Sequence, residues 1–145
     1  MSLINAFYIV GFVDGEGSFN ISFKVRNDYT NGLQVYPSFN ISQKEKNILV
    51  WIQNQFGCGT IRDRGDGVYY YEVNNLKDLK DEILPFFKRY KLKTKKKKAF
   101  EVFCKTIEII SSKKLEWVDI KGIYTLREEV VVGRKRKYSI KDLEK

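Results

Sequence analysis

Tyr8-Ile9-Val10-Gly11-Phe12-Val13-Asp14-Gly15-Glu16-Gly17-Ser18-Phe19 is the stretch on which the reading of this chain turns. A mostly apolar run leads directly into two carboxylates separated by one glycine. Residues 4–15 read as a short apolar helix that Gly15 and Gly17 end. Carboxylates at the end of an apolar helix are costly unless something compensates them, so they are expected to bind a cation or to do acid–base work. Asp14 is also open to a structural role, accepting bonds from nearby backbone amides. Gly11 and Gly15 stand four apart and share a helix face. Small residues at that spacing let two helices approach closely. The pattern predicts that this helix packs against its own copy in a second chain, with Tyr8 and Phe12 flanking the seam and the two Glu16 side chains near a two-fold axis.

Outward from the motif, the pattern changes period. Ser18 to Arg26 alternates strictly, with Phe19, Ile21, Phe23 and Val25 on one side and Ser18, Asn20, Ser22, Lys24 and Arg26 on the other. This is the period of a half-buried strand. A turn at Asn27–Gly32 leads to a second alternating strand through Leu33, Val35, Pro37, Phe39 and Ile41, in which Pro37 suggests an edge or a bulge. Lys44 to Phe56 reads as a helix stopped by Gly57. Thr60–Arg64 and Val68–Val73 read as a hairpin across Gly65-Asp66-Gly67. Asn75 to Tyr90 reads as a helix capped at Asn74 or Asn75 and broken near Pro85. Helices over about 95–112 and 115–132 follow. The order αββαββα, plus further helices, predicts an α+β domain over residues 1–132 with an antiparallel sheet, helices on one face and the other face open. Residues 133–145, with Arg134-Lys135-Arg136-Lys137, read as a basic tail, flexible in isolation.

The composition narrows the chemistry. Lys and Arg number 27 against 18 Asp and Glu, a formal charge of +9, which favours a polyanionic partner, nucleic acid first and an acidic membrane surface second. Histidine is absent, which excludes imidazole bases, Ser-His-Asp and Cys-His nucleophiles and His-ligated zinc. Cys58 and Cys104 are far apart and read as reduced thiols. No apolar run reaches the length of a membrane span and the N-terminus lacks the marks of a secretory signal, so the expectation is a soluble intracellular chain without a membrane partner.

The major groove of B-form DNA admits a β-ribbon, and Arg, Lys, Asn, Gln and Ser read its base edges. The outward strand positions carry that set: Asn20, Ser22, Lys24 and Arg26; Gln34, Tyr36, Ser38 and Asn40; Arg62, Arg64, Tyr70 and Glu72. The lysine run from Lys88 through Lys98, Lys95 and Lys96 among them, is placed to contact phosphates. Phosphodiester hydrolysis calls for an oxygen-ligated divalent cation. Mg²⁺ is content with one or two carboxylates plus phosphate and water. Glu16 is the better ligand of the two acids, and the carbonyl of Gly15 can approach the same ion.

Together the Tyr8–Phe19 run and the element order resemble the single-motif LAGLIDADG homing endonucleases over about residues 5–110. The resemblance implies a homodimer with a saddle-shaped sheet that cuts both strands of a long, pseudo-palindromic double-stranded DNA site with Mg²⁺ or Mn²⁺. It implies Glu16 and the Gly15 carbonyl as metal ligands, Gln43 as the residue ordering the attacking water, and Lys93 near the scissile phosphate. Val10 stands where the family motif has alanine, and the last acid is glutamate instead of aspartate. The segment after about Leu115 matches no motif. A rival reading on the same fold is an RNA-binding intron maturase, with intron RNA as partner, and a third is a non-cleaving DNA-binding protein. Such elements belong to organelles (chloroplast or mitochondrion) and to microbial cytoplasm, and the sequence leaves that choice open.

Overall fold

A computed structural model describes residues 1–29, 32–130 and 141. Helix α1 spans Leu3–Glu16, strand β1 Gly17–Val25, β2 Leu33–Gln43, helix α2 Lys46–Phe56, β3 Thr60–Asp63 and β4 Tyr69–Val73. A helical arm follows: α3 Leu76–Asp78, a π turn Leu79–Ile83 and α4 Leu84–Arg89. Two longer helices, α5 Lys96–Ser112 and α6 Trp117–Val130, end the described chain. The element order is the one the periodicity predicts.

The four strands form one antiparallel sheet in the order β1-β2-β4-β3. Gly17 pairs with Ile41 and Val25 with Leu33, without a slip in register. The Arg26 amide bonds the Gly32 carbonyl at 2.8 Å. Ladder bonds alternate along an antiparallel pair, so the even-numbered residues of β1 face β2 and the Ile21 and Pro37 backbone groups point away from that ladder. The missing N–H of Pro37 therefore falls on the side where β4 has already ended, since β4 pairs only from Phe39 onward. The proline sits at an edge, as its chemistry requires. The outward Ile21 carbonyl accepts a bond of 3.2 Å from Arg127 of α6. That guanidinium lies over the rings of Phe23 and Tyr124, at 4.7 and 4.8 Å. Helix α6 thus caps the free edge of β1.

The helices pack on one face. Phe19, at the start of β1, is the hub: its ring lies 5.2–5.4 Å from those of Phe39, Phe87, Phe100 and Phe103. The first pair is stacked and the other three are edge-to-face, and aromatic pairs of either kind add about 0.5–1.5 kcal/mol each beyond their buried area. Cys104 is buried in α5, as expected, and burial pushes both thiols up to about 11.

Two expectations are corrected. Gly15 lies inside α1, and Gly17 is the residue that ends it. A Cβ on Gly17 would meet Val13 Cγ1 at 2.6 Å, so the chain itself demands glycine there. The helical arm is not broken at Pro85. The residues before it widen into a π turn, so the regular α ladder is already interrupted where Pro85 enters at the start of α4 and supplies no N–H. Of the two caps expected for the arm, Asn75 is the one used: its side chain accepts from the Asp78 amide at 3.2 Å. Residues 131–140 and 142–145, which include Arg134–Lys137 of the expected tail, lie outside the described residues.

Candidate functional site

The end of α1 meets the sheet and the lysine segment at one place. The Asp14 carboxylate accepts from the Lys93 amide at 2.9 and 3.1 Å, from the Thr94 amide at 3.1 Å and from the Thr94 hydroxyl at 2.8 Å. Burial raises its proton affinity, but the amides of Thr94 and Lys93, the Thr94 hydroxyl and the Lys96 charge together hold it below its ordinary value of 3.8. Asp14 is thus a brace: it ties the turn before α5 to the last turn of α1. Thr94, which drew no attention in the sequence, is the other half of that brace.

The four last carbonyls of a helix lack internal partners. Here Val13 accepts from the Gly17 amide, and Asp14 accepts from the Thr94 hydroxyl at 3.1 Å. The Lys96 ammonium reaches both carbonyls at 3.4–3.5 Å. No described group outside the helix donates to the Gly15 carbonyl. The exposed Glu16 carboxylate makes no hydrogen bond or ion pair with the described residues. The exit of α1 therefore presents one free carboxylate and a free carbonyl at the negative end of a helix dipole, which favours a cation.

Register brings Gln43 to the same end. Gly17 opposes Ile41, so Gln43, half-buried at the end of β2 and opposite Tyr69, stands at the end of the sheet where α1 enters it. Lys93 is exposed, and its amide bond to Asp14 anchors it two residues from Glu16. The structure thus gathers Glu16, Gly15, Gln43 and Lys93, residues from three separate stretches, at one end of the sheet.

Among the described residues no group of three or more His, Cys, Asp or Glu could hold a metal by itself. One carboxylate and one carbonyl fit a hard, water-rich ion such as Mg²⁺ that takes its remaining oxygens from water and phosphate. They would not fit a site that needs a full set of protein ligands.

The outer face of α1 is apolar and uncovered. Ile4, Phe7 and Tyr8 remain 82%, 59% and 52% exposed, although Phe7 meets Tyr90 edge-on and Tyr8 meets Phe12 and Trp51. Gly11 and Gly15 are exposed on the same face, and a Cβ at either would meet nothing within 4 Å. Among the described residues nothing requires glycine at those two positions.

The polar face of the sheet has the expected composition. Ser18 opposes Asn40, Asn20 opposes Ser38, Ser22 opposes Tyr36 and Lys24 opposes Gln34. On the other half, Asn40 opposes Glu72 and Arg62 opposes Tyr70. Two of the expected readers have little surface: Ser38 and Asn40 are 5% and 6% exposed, and the Asn40 amide nitrogen is buried without a partner. They lie on β2, an inner strand of the sheet, with Asn20 opposite Ser38, and Ser18 and Glu72 flanking Asn40. Lys96 is likewise half-buried against the α1 carbonyls, so its charge is already engaged, while Lys95 is exposed. Arg26 and Arg64 pair with Asp28 and Asp66 at 2.8 and 3.0 Å.

A family model described as LAGLIDADG endonuclease matches residues 9–107, from within α1 into α5. The chain belongs to the LAGLIDADG endonuclease family. Among its relatives is a "Probable intron-encoded DNA endonuclease 1" of Mycosarcoma maydis, 38% identical over 96 residues that make up 65% of this chain and 34% of the relative. The "Homing endonuclease I-ApeII" of Aeropyrum pernix is 31% identical over 114 residues, 77% of this chain and 68% of that protein. The chain spans about a third or less of the length of the first two relatives it matches. Of the solved structures, the homing endonuclease I-TnaI superposes with a TM-score of 0.84 at 28% identity, over 96% of this chain and 92% of its own. I-SmaMI, bound to an uncleaved DNA target in the presence of calcium ions, superposes with a TM-score of 0.85 at 28% identity, over 92% of this chain and 47% of its own. The fold expected from the sequence is the LAGLIDADG fold.

Proposed function

We propose that this LAGLIDADG protein is a divalent-metal-dependent, site-specific endonuclease of double-stranded DNA that works as a homodimer. The observation that carries the reading is the exit of α1. A free glutamate and a free carbonyl stand beside a largely uncovered apolar helix face whose two glycines touch none of the described residues beyond their own helix. A second α1 packed on that face would bring two Glu16 side chains together and complete a site of which each chain holds half. The DNA target and calcium ions of the similar I-SmaMI structure support the choice of partner and of ion class.

In this reading Glu16 and the Gly15 carbonyl hold the ion, with Mg²⁺ the proposed species. When bound, such an ion polarises a phosphate and acidifies a water. Gln43 orients the attacking water through its amide. Lys93 sets a positive charge beside the phosphate as charge builds there, and the Asp14–Thr94 brace keeps that lysine in register with Glu16. Lys95 and the neighbouring exposed lysines neutralise flanking phosphates. Ser22, Lys24, Gln34, Tyr36, Arg62 and Glu72 face the groove.

Glu16→Gln tests the assignment. The variant is expected to bind its DNA site with near-native affinity and to lose cleavage in Mg²⁺ by about 10³-fold, measured by gel shift and plasmid digestion on the same preparation. Retained cutting would remove Glu16 from the reaction.

A further inference from the structure

A connected line of side chains crosses the polar face of the sheet. Asn74 donates through Nδ2 to the Tyr36 hydroxyl oxygen and, at 2.9 Å, to Glu72 Oε1. Arg62 approaches the same Glu72 oxygen at 3.7 Å, and its guanidinium lies 5.0 Å from the Tyr70 ring centre. On the far side the Lys24 ammonium stands 3.5 Å over the Tyr36 ring. The line runs from β1 to β3, and every member is held by a neighbour.

Glu72 is the odd member. Among the described strand residues it is the one carboxylate on the polar face: Asp63, the other strand acid, has the opposite parity and accepts from the Gly65 amide at 2.8 Å. Asp28 and Asp66, in the nearby turns, are consumed by Arg26 and Arg64. Glu72 differs from these. Both of its contacts go to Oε1, and Oε2 has no described partner although the side chain is only 13% exposed. A carboxylate aimed at a phosphate-rich partner opposes binding unless it meets a donor there. A carboxylate only accepts. On the major-groove edge the donors are the amino groups of cytosine and adenine, and the adenine amino group lies beside an acceptor nitrogen that a second carboxylate oxygen would face. Cytosine N4 has no such neighbour on its own edge and is the usual partner of Asp and Glu.

We infer that Glu72 reads a cytosine in the major groove through Oε2, and that Asn74 is a positioning residue that fixes the carboxylate for it. The inference rests on the DNA-binding reading above and adds a base identity to it. In a two-fold dimer it fixes one cytosine in each half-site.

The test is selection of bound duplexes from a randomised DNA library by the full chain, followed by sequencing, for the native protein, Glu72→Gln and Asn74→Ala. The native protein is expected to enrich cytosine at one position of each half-site. Glu72→Gln is expected to lose that enrichment by about 10-fold and to move toward adenine, which glutamine reads through N6 and N7, with the other positions unchanged. Asn74→Ala keeps the carboxylate and is expected to weaken the same position by a smaller factor. Identical base preferences in all three proteins would overturn the inference. So would a Glu72→Gln variant whose affinity changes equally for every sequence, or one that binds no duplex. A native protein that selects no duplex sequence would remove the DNA-binding reading itself, and the inference with it.

Discussion

The two faces of α1 are both apolar, and among the described residues only one of them is fully covered. On the inner face Ala6, Ile9 and Val13 have no exposure and Val10 has 7%. On the outer face Ile4 is 82% exposed, and Gly11 and Gly15 look into open space. A helix that is apolar all round is ordinarily buried all round. The difference teaches what each face is for. The inner face is finished by the sheet and the core, and the outer one is left largely uncovered by the described residues, as the proposed dimer requires. The glycines make the same point. Gly17 is forced by Val13 at 2.6 Å, whereas Gly11 and Gly15 cost the helix about 0.5–1 kcal/mol each relative to alanine and gain nothing inside it.

The comparison can be broken from either side. The largest effect is expected on the inner face: Val13→Asp would bury a carboxylate without a partner and destabilise the fold by about 4 kcal/mol or more. Urea unfolding would register this as a lost or strongly shifted transition. An unchanged midpoint would mean that the inner face is not packed as described. On the outer face Gly11→Leu is expected to leave the domain folded, its helix if anything steadier, while sedimentation shows monomer and cleavage disappears. A Gly11→Leu protein that still dimerises through α1 and cuts DNA would show that the outer face is not the seam.

A smaller effect belongs to Asp14, at the junction of the two faces. Its folded-state proton affinity is depressed below 3.8 by the Thr94 and Lys93 bonds, which outweigh the effect of burial. A depressed carboxyl adds stability that is fully present above its unfolded value and is lost as pH falls through the folded one. Asp14→Asn is therefore expected to cost about 1–2 kcal/mol at neutral pH and progressively less as the pH drops below about 4. Thermal unfolding of both proteins between pH 7 and pH 3 measures it. A gap between them that stays constant over that range would deny the brace its charge.

Much of this was readable in one dimension, because the signals were local. The alternation from Ser18 to Val25 and from Leu33 to Ile41 fixed which side chains share a face, and the observed pairs Ser22–Tyr36 and Lys24–Gln34 keep that parity. The glycine spacing in α1 likewise marked the outer face. What escaped were contacts between distant stretches. Thr94 gives no local sign that it meets Asp14, and Arg127 none that it caps the Ile21 carbonyl. Ser38 and Asn40 have the composition of base readers, but being on an inner strand leaves them covered.

The sequence by itself determined the order of elements, the two-sidedness of the sheet, the acidic end of α1 and the positive charge, since hydrophobic period and residue chemistry are properties of neighbours along the chain. Only the tertiary structure decided that Asp14 braces while Glu16 stays free, that Lys96 is spent on the helix end, that Pro85 is absorbed by a π turn, and that Glu72 keeps one oxygen open. Those outcomes depend on which groups meet across 79 residues, as Asp14 and Lys93 do, and a donor found or not found in space is what separates a structural carboxylate from an available one.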